Sequence, residues 1–305
     1  MSSFTEQLIP FSVNDETFQT YCKVFGDVTH SPNGAIIILH GGPGASHDYL
    51  LPTADLALLS PYNAVIFYDQ VGTGLSTHLP SKDISFWTID LFIGELENIL
   101  AHFNLTTPMS YYNIIGHSWG ATLAAEFIVR RQPKGLRKLV LANCLASAKL
   151  RNAAIADIRK TLPSEVQEIL RLHEKNGTTK SVEYLSAMDV FWKRHGCRLN
   201  SWPEEVKKSL KYWPEKDPTV LNSMRKGPEN LATGWDITSR IYLMAHIPVL
   251  LINGEHDFMA DSVCSPFFWG IEKVKWVKFS NSSHLPHWEE RERFMEVVGD
   301  WLNAL

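Results

Sequence analysis

Five segments of the chain are almost wholly apolar: Ala35 to Leu39, Ala64 to Tyr68, Tyr112 to Ile115, Leu139 to Ala142 and Val249 to Ile252. None shows the polar alternation of a half-exposed hairpin, so each predicts a strand covered on both faces. Val274 to Phe279 is expected to add a sixth. Helical stretches lie between the strands. Phe86 to Phe103 carries Trp87, Leu91, Leu96, Ile99, Leu100 and Phe103 as an apolar face, with Glu95, Glu97 and Asn98 read as the polar one. Such alternation predicts a doubly wound, mostly parallel α/β sheet. Leu8 to Phe25 alternates more openly and suits antiparallel edge strands.

The pattern changes between Cys144 and Pro248, where about a hundred residues read as amphipathic helices with no strand. This predicts a helical insertion at 147–240 that splits a core of 1–146 and 241–305. Within it, Ser164-Glu165-Val166-Gln167 reads as a capping box opening a helix that Asn176-Gly177 closes, and Ser201-Trp202-Pro203-Glu204 as a second start. Trp192, Trp202, Trp213 and Trp235 fall in the insertion. Most are expected to pack its helices, with one or two lining a substrate cavity.

Composition narrows the function. The 305 residues are 45% hydrophobic and 20% charged, with a formal charge of −4, which suits a packed globular protein and gives no basic surface for nucleic acid. No run approaches the ~18 apolar residues of a membrane span, and the first residues resemble no secretory signal, so a cytoplasmic location is expected. Cys22, Cys144, Cys197 and Cys264 are scattered and read as free thiols.

Chemistry enters at Gly116-His117-Ser118-Trp119-Gly120, which joins the strand ending at Ile115 to the helical Ala121-Thr122-Leu123-Ala124-Ala125-Glu126. Gly-x-Ser-x-Gly in a strand-turn-helix setting exposes a serine hydroxyl on a sharp turn, which makes Ser118 the candidate nucleophile. A serine hydroxyl is weak at neutral pH and needs a base, itself oriented by an acid. On this type of sheet the order along the chain is nucleophile, acid, histidine. Asp257, just past the Val249 to Ile252 strand, is the first choice of acid, with Asp261 and Glu255 in reserve. His284 follows the last strand and is preferred as base over His256 and His287.

An acyl-transfer intermediate also needs donors for its oxyanion. Trp119 offers the N–H after the nucleophile. His40-Gly41-Gly42-Pro43-Gly44, after the first buried strand, offers another from Gly42, or from Gly41 as second choice. Gly72-Thr73-Gly74 is too short for a dinucleotide fingerprint, no phosphate-binding loop occurs, and no metal-ligand spacing is present. The chemistry is expected to need neither cofactor nor metal.

These motifs resemble the proline iminopeptidase family of α/β hydrolases, which includes the tricorn-interacting aminopeptidases and amino-acid amidases. The resemblance covers nearly the whole chain. It rests on His40 to Gly44 with Ser46-His47-Asp48-Tyr49-Leu50, on Phe67 to Ser76, on Gly116 to Gly120 and on Gly254-Glu255-His256-Asp257. His195-Gly196-Cys197-Arg198 with Trp202-Pro203, and Gly227-Pro228 with Trp235-Asp236-Ile237-Thr238, extend it into the insertion. The resemblance implies an α/β-hydrolase fold with a helical cap, a triad of Ser118, Asp257 and His284, and an oxyanion hole of Gly42 and Trp119.

The chain also departs from the family. Its aminopeptidases hold a free α-amine with glutamates, one in a cap motif Gly-Pro-x-Glu-Phe and, in some members, one directly after the catalytic Asp. Here the cap reads Gly227-Pro228-Glu229-Asn230-Leu231, and Phe258 follows Asp257. Glu229, Trp192, Trp235 and Phe258 are the candidate substrate contacts. The resemblance implies a serine hydrolase that cleaves an amide or ester of a small molecule or short peptide through an acyl-enzyme. The alternatives are an esterase, lactonase or acyltransferase for a metabolite without a free amine, and a non-catalytic receptor on the same fold.

Overall fold

The computed structural model describes residues 3–31, 34–59 and 64–304. Strand β1 (Phe4–Val13) turns through Asn14 and Asp15, both at positive φ, into β2 (Glu16–Phe25), an antiparallel hairpin at the sheet edge. Then come β3 (Ala35–Leu39), β4 (Val65–Tyr68), α1 (Ile89–His102), β5 (Tyr112–His117), α2 (Trp119–Arg131) and β6 (Leu136–Ala142). The cap follows, with α3 (Ala148–Arg159), α4 (Ser164–Lys175), α5 (Val182–His195), α6 (Glu204–Lys207), α7 (Trp213–Lys216) and α8 (Thr219–Lys226). The chain returns through β7 (Val249–Gly254), α9 (Asp261–Gly270), β8 (Val274–Phe279), α10 (Pro286–Glu289) and α11 (Arg291–Asn303).

The strands form one sheet in the order β1-β2-β4-β3-β5-β6-β7-β8, parallel from β4 to β8. All five residues of β3 are buried, and its side chains alternate between two cores. Ile37 and Leu39 join the side of α1, α2 and α9, while Ile36 and Ile38 join that of α11 and the short turns of His47–Ala57. Burial on both faces explains the unbroken apolar runs. The fold is the expected doubly wound α/β one, and among the described residues no helix is long and apolar enough to cross a membrane.

The cap leaves and rejoins the core at one point. Ser147 and Asp236 form an isolated bridge, Ala148 N–H donates to the Trp235 carbonyl (2.9 Å) and Ile237 N–H to that of Ala146 (3.0 Å). Below this seam the buried Glu126 carboxylate of α2 gathers the Trp235 indole (2.9 Å), Arg240 (2.7 Å) and Arg130 (2.8 Å). Three donors satisfy a charge that burial would otherwise penalise.

Three local expectations are corrected. Pro163, not Ser164, stands at the N-cap of α4, and Pro203, not Ser201, at that of α6, because a proline's fixed φ and missing N–H suit a helix start. Helix α6 runs on through a wide turn at Lys208–Tyr212 into α7. Glu95 is not on a polar face but fully buried, where its carboxyl accepts the Val71 N–H (3.0 Å) and the Thr20 hydroxyl. Burial pushes its pKa up to about 8, against the pull of those hydrogen bonds. A folded-state value above the free value of 4.5 means that the native protein holds an extra proton between the two, so stability falls as pH rises through that window. Glu95→Gln is expected to flatten the decline between about pH 4.5 and 8, read from urea unfolding midpoints across that range.

Candidate active site

The parallel strands point their C-terminal ends to one edge, and a polar group follows each of several apolar runs there: His40 after β3, Asp69 and Gln70 after β4, Ser118 after β5, Asn143 after β6 and Asp257 beyond β7. Ser118 sits at φ 55° and ψ −118°, outside the regions open to unstrained side chains. Its N–H donates to the Ala142 carbonyl (2.9 Å), and α2 starts at the next residue. Such a turn needs bare backbone on both sides. A Cβ on Gly116 would stand 2.6 Å from Ala121 Cα, and one on Gly120 would overlap the Leu39 carbonyl. The two flanking glycines are therefore steric requirements of the elbow.

Asp257 and His284 come together beside it. The His284 Nδ1–H donates to Asp257 Oδ1 at 2.8 Å, which leaves Nε2 as the basic nitrogen. Asp257 is buried, and its remaining capacity is filled by the Met259 N–H on Oδ1 (2.9 Å) and the Asn143 side-chain amide on Oδ2 (2.6 Å). Among the described residues Ser118 Oγ makes no hydrogen bond to the imidazole, a distance that commonly closes only when substrate binds. Of the reserve acids, Asp261 binds Asn253 and Lys278 instead, and Glu255 is exposed against Lys278.

The glycine loop lies against the nucleophile, since a Cβ on Gly41 would come within 3.1 Å of Ser118 Cβ. Its geometry separates the two donor candidates. The Gly41 N–H is taken by the Tyr49 hydroxyl at 2.8 Å, whereas among the described residues the N–H groups of Gly42 and Trp119 have no protein acceptor. Gly42 sits at φ +114°, where a side chain would be strained and would also meet the Gly44 and Ala45 nitrogens at 2.7 Å.

Buried hydrogen bonds hold this loop to its neighbours. Gln70 accepts from the Trp119 indole (2.8 Å) and donates to the His40 carbonyl (3.1 Å). Asp69 binds the His47 ring (2.8 Å), the His47 N–H (2.7 Å) and the Leu75 N–H (2.8 Å). Burial raises the Asp69 pKa, but the His47 charge and hydrogen bond outweigh it and bring it to about 2. His117 accepts from the Tyr49 hydroxyl at Nδ1 (2.7 Å) and donates from Nε2 to the His284 carbonyl (2.7 Å). Burial holds His117 far below the usual histidine range, with His284 and His287 adding to the effect. The buried His287 falls to about 3 for the same first reason and donates to the Tyr49 carbonyl (3.0 Å).

The expected substrate contacts divide. Phe258 lies on the His284 ring with centroids 4.3 Å apart, Trp192 meets Phe258 at 5.6 Å and Phe191 joins them at 6.2 Å from Phe258. Trp235 is a correction: it is buried in the Glu126 cluster. Glu229 is another. Its carboxylate accepts the Ile89 N–H at the start of α1 (2.7 Å) and lies 3.9 Å from Arg130. The Arg130 backbone is twelve residues along α2 from Ser118, roughly 18 Å at the rise of an α-helix. Glu229 thus stands at the N-terminus of α1, a place that attracts a carboxylate.

Asn143, Gln70, Tyr49 and His117 were not singled out from the sequence. Asn143, Gln70 and His117 carry a usable signal, because each is a polar residue at or just past the C-terminal end of a buried parallel strand.

The family model for the alpha/beta hydrolase fold matches residues 34–291. The chain is 31% identical to a proline iminopeptidase of Saccharolobus solfataricus, with 100% of this chain and 98% of that one covered. Among solved structures it is similar to the proline iminopeptidase of Mycobacterium smegmatis, with a TM-score of 0.85, 34% identity and coverage of 98% and 97%. It is likewise similar to VinJ, with a TM-score of 0.89, 36% identity and coverage of 99% of each chain. The chain belongs to the alpha/beta hydrolase fold family and, inside it, to the proline iminopeptidase family. It is a hydrolase of the Ser-His-Asp type.

Asn143→Ala removes a hydrogen bond to a buried carboxylate of a kind worth about 1.5–3 kcal/mol, so a loss of about ten- to hundredfold in kcat is expected. Asp257→Asn is expected to lose roughly 10⁴-fold by favouring the wrong imidazole tautomer. Steady-state kinetics, with circular dichroism to verify folding, check both.

Proposed function

We propose that the protein hydrolyses amides of small apolar acyl or aminoacyl groups, short peptides included, through an acyl-enzyme on Ser118. The convergence of the His284–Asp257 pair and two unclaimed N–H groups on the strained Ser118 turn carries this reading. His284 Nε2 takes the Ser118 proton as Oγ attacks the carbonyl carbon. Asp257 stabilises the imidazolium, and the oxyanion is held by the Gly42 and Trp119 N–H groups. As the intermediate collapses, the leaving amine receives that proton from His284. The same imidazole then takes a proton from water as it attacks the ester carbonyl, and returns that proton to Ser118 Oγ as the C–Oγ bond breaks and the acid is released. A fluorophosphonate is expected to label Ser118, located by mass spectrometry. Labelling undiminished in a folded Ser118→Ala variant would refute the assignment.

The substrate reading rests on what faces His284. Phe258 and Trp192 offer an apolar wall, and Glu229, the carboxylate that a free α-amine would use, is engaged at the start of α1. An apolar group beside the scissile bond gains from this wall at about 25 cal/mol per Å² buried. The named relatives are proline iminopeptidases, so proline and alanine anilides are the natural probes. Glu229→Gln is expected to leave kcat/KM for these anilides within about threefold, whereas Phe258→Ala raises KM about tenfold, the scale of one lost apolar contact. A tenfold or greater fall in Glu229→Gln, together with no turnover of N-capped analogues, would instead establish an amine-dependent site.

A further inference from the structure

The cap motif His195-Gly196-Cys197-Arg198 lies far from Ser118 in sequence and takes no part in the chemistry above. It closes α5, with the N–H groups of Gly196 and Cys197 both donating to the Trp192 carbonyl (2.8 and 2.9 Å). From there it reaches both loops that carry the acid and the base. The His195 Nδ1–H donates to the His256 carbonyl at 2.8 Å, one peptide before Asp257. The Arg198 N–H donates to Glu289 Oε1 at 2.6 Å. The Glu289 carboxylate in turn accepts the Ser283 N–H (2.8 Å), the Ser283 hydroxyl (2.7 Å) and the Leu285 N–H (3.3 Å), which brackets His284.

We propose that His195 and Glu289 are positioning residues through which the cap fixes Asp257 and His284 relative to one another. The proposal rests on the triad reading above. At their roots the loops also meet through the Glu255 N–H on the Phe279 carbonyl (2.9 Å) and the Lys278 ammonium between Glu255 and Asp261. Nearer the triad they meet through His256 N–H on the Ser282 carbonyl (3.0 Å), the Asn143 amide that bridges Asp257 and the Ser283 carbonyl (3.2 Å), and the His284–Asp257 bond itself. The His256 main chain is thus held on both sides of its Cα, by the base loop at the N–H and by the cap at the carbonyl. Packing alone is a poor account of His195, because its Nε2 is buried without a partner among the described residues. Leaving a ring nitrogen unpaired is costly, and the placement secures the Nδ1–H bond. Burial also lowers the His195 pKa, which keeps the ring neutral with its one proton on the bonding nitrogen. The same segment is bonded to the Trp192 carbonyl, and the Trp192 ring meets Phe258, so the apolar wall and the triad loops are reached from one stretch of chain.

The two functions of His195, donor and filler, are separable. Asn places its amide N–H near the position of imidazole Nδ1–H, while Phe fills the space without a donor. With a small ester substrate, His195→Phe is expected to lower kcat about tenfold or more with KM within about twofold, and His195→Asn to recover kcat to within about threefold, the scale of one hydrogen bond. The low-field proton resonance of the His284–Asp257 hydrogen bond is expected to shift or broaden in His195→Phe and to return in His195→Asn. Glu289→Gln, which cannot accept at both carboxyl oxygens, provides the second variant if His195→Phe does not fold, and is expected to move the same resonance and kcat. The proposal is overturned if the folded variants leave that resonance unmoved, if only KM changes, or if Asn behaves as Phe does. Full turnover by Ser118→Ala would bring down the triad reading instead, while the resonance would still report on the clamp.

Discussion

One backbone conformation, that of Ser118, organises the surroundings of the site. A residue at φ 55° and ψ −118° carries strain of about 1–3 kcal/mol, and it persists only where its neighbours leave no relaxed alternative. Here β5 fixes the approach, α2 fixes the departure and the Ala142 carbonyl holds the N–H between them. The close passage of α2 over β3 at Gly120 follows from the same turn. So does the meeting of the glycine loop with Ser118 at Gly41.

Around this turn the structure uses histidine in two opposite ways. His117 and His287 are buried and neutral, each a fixed hydrogen-bond donor to a main-chain carbonyl. His284 alone among them is joined to a carboxylate, the partner that the proposed mechanism requires of a general base. Three imidazoles within about two ring widths therefore differ in their hydrogen-bond partners, and the proposed mechanism uses that difference. The neutral pair supplies rigidity. His117 links the nucleophile's strand to the base loop through one bond, and Tyr49 links it to the glycine loop through another.

Much of this was legible in the sequence because burial on two faces leaves a distinct signature. The apolar runs at Ala35, Tyr112 and Val249 begin the observed strands, and the order of Ser118, Asp257 and His284 follows from the sheet they end on. What escaped depended on partners distant in sequence. Glu95 reads as a polar-face residue because helical periodicity takes no account of the loop at Val71 that needs an acceptor. Gly42 ranks above Gly41 in the sequence, but the Tyr49 hydroxyl that accepts the Gly41 N–H is a partner no local pattern supplies. Glu229 shows the reverse, where a motif suggested a ligand contact and the carboxylate instead meets the start of α1.

The seam at Ser147 and Asp236 has a consequence for how the family can vary. Because the cap's two ends are hydrogen-bonded to each other, the core sees it as a loop of zero span, and the free energy of closing that loop grows only slowly with its length. Helices can be added, lost or exchanged inside the loop while the sheet keeps its register. On the proposed role of His195, the limit on such exchange lies in the few inserted residues that reach the loops of Asp257 and His284: a replacement insertion is free in its other contacts but must still present a donor to the His256 carbonyl.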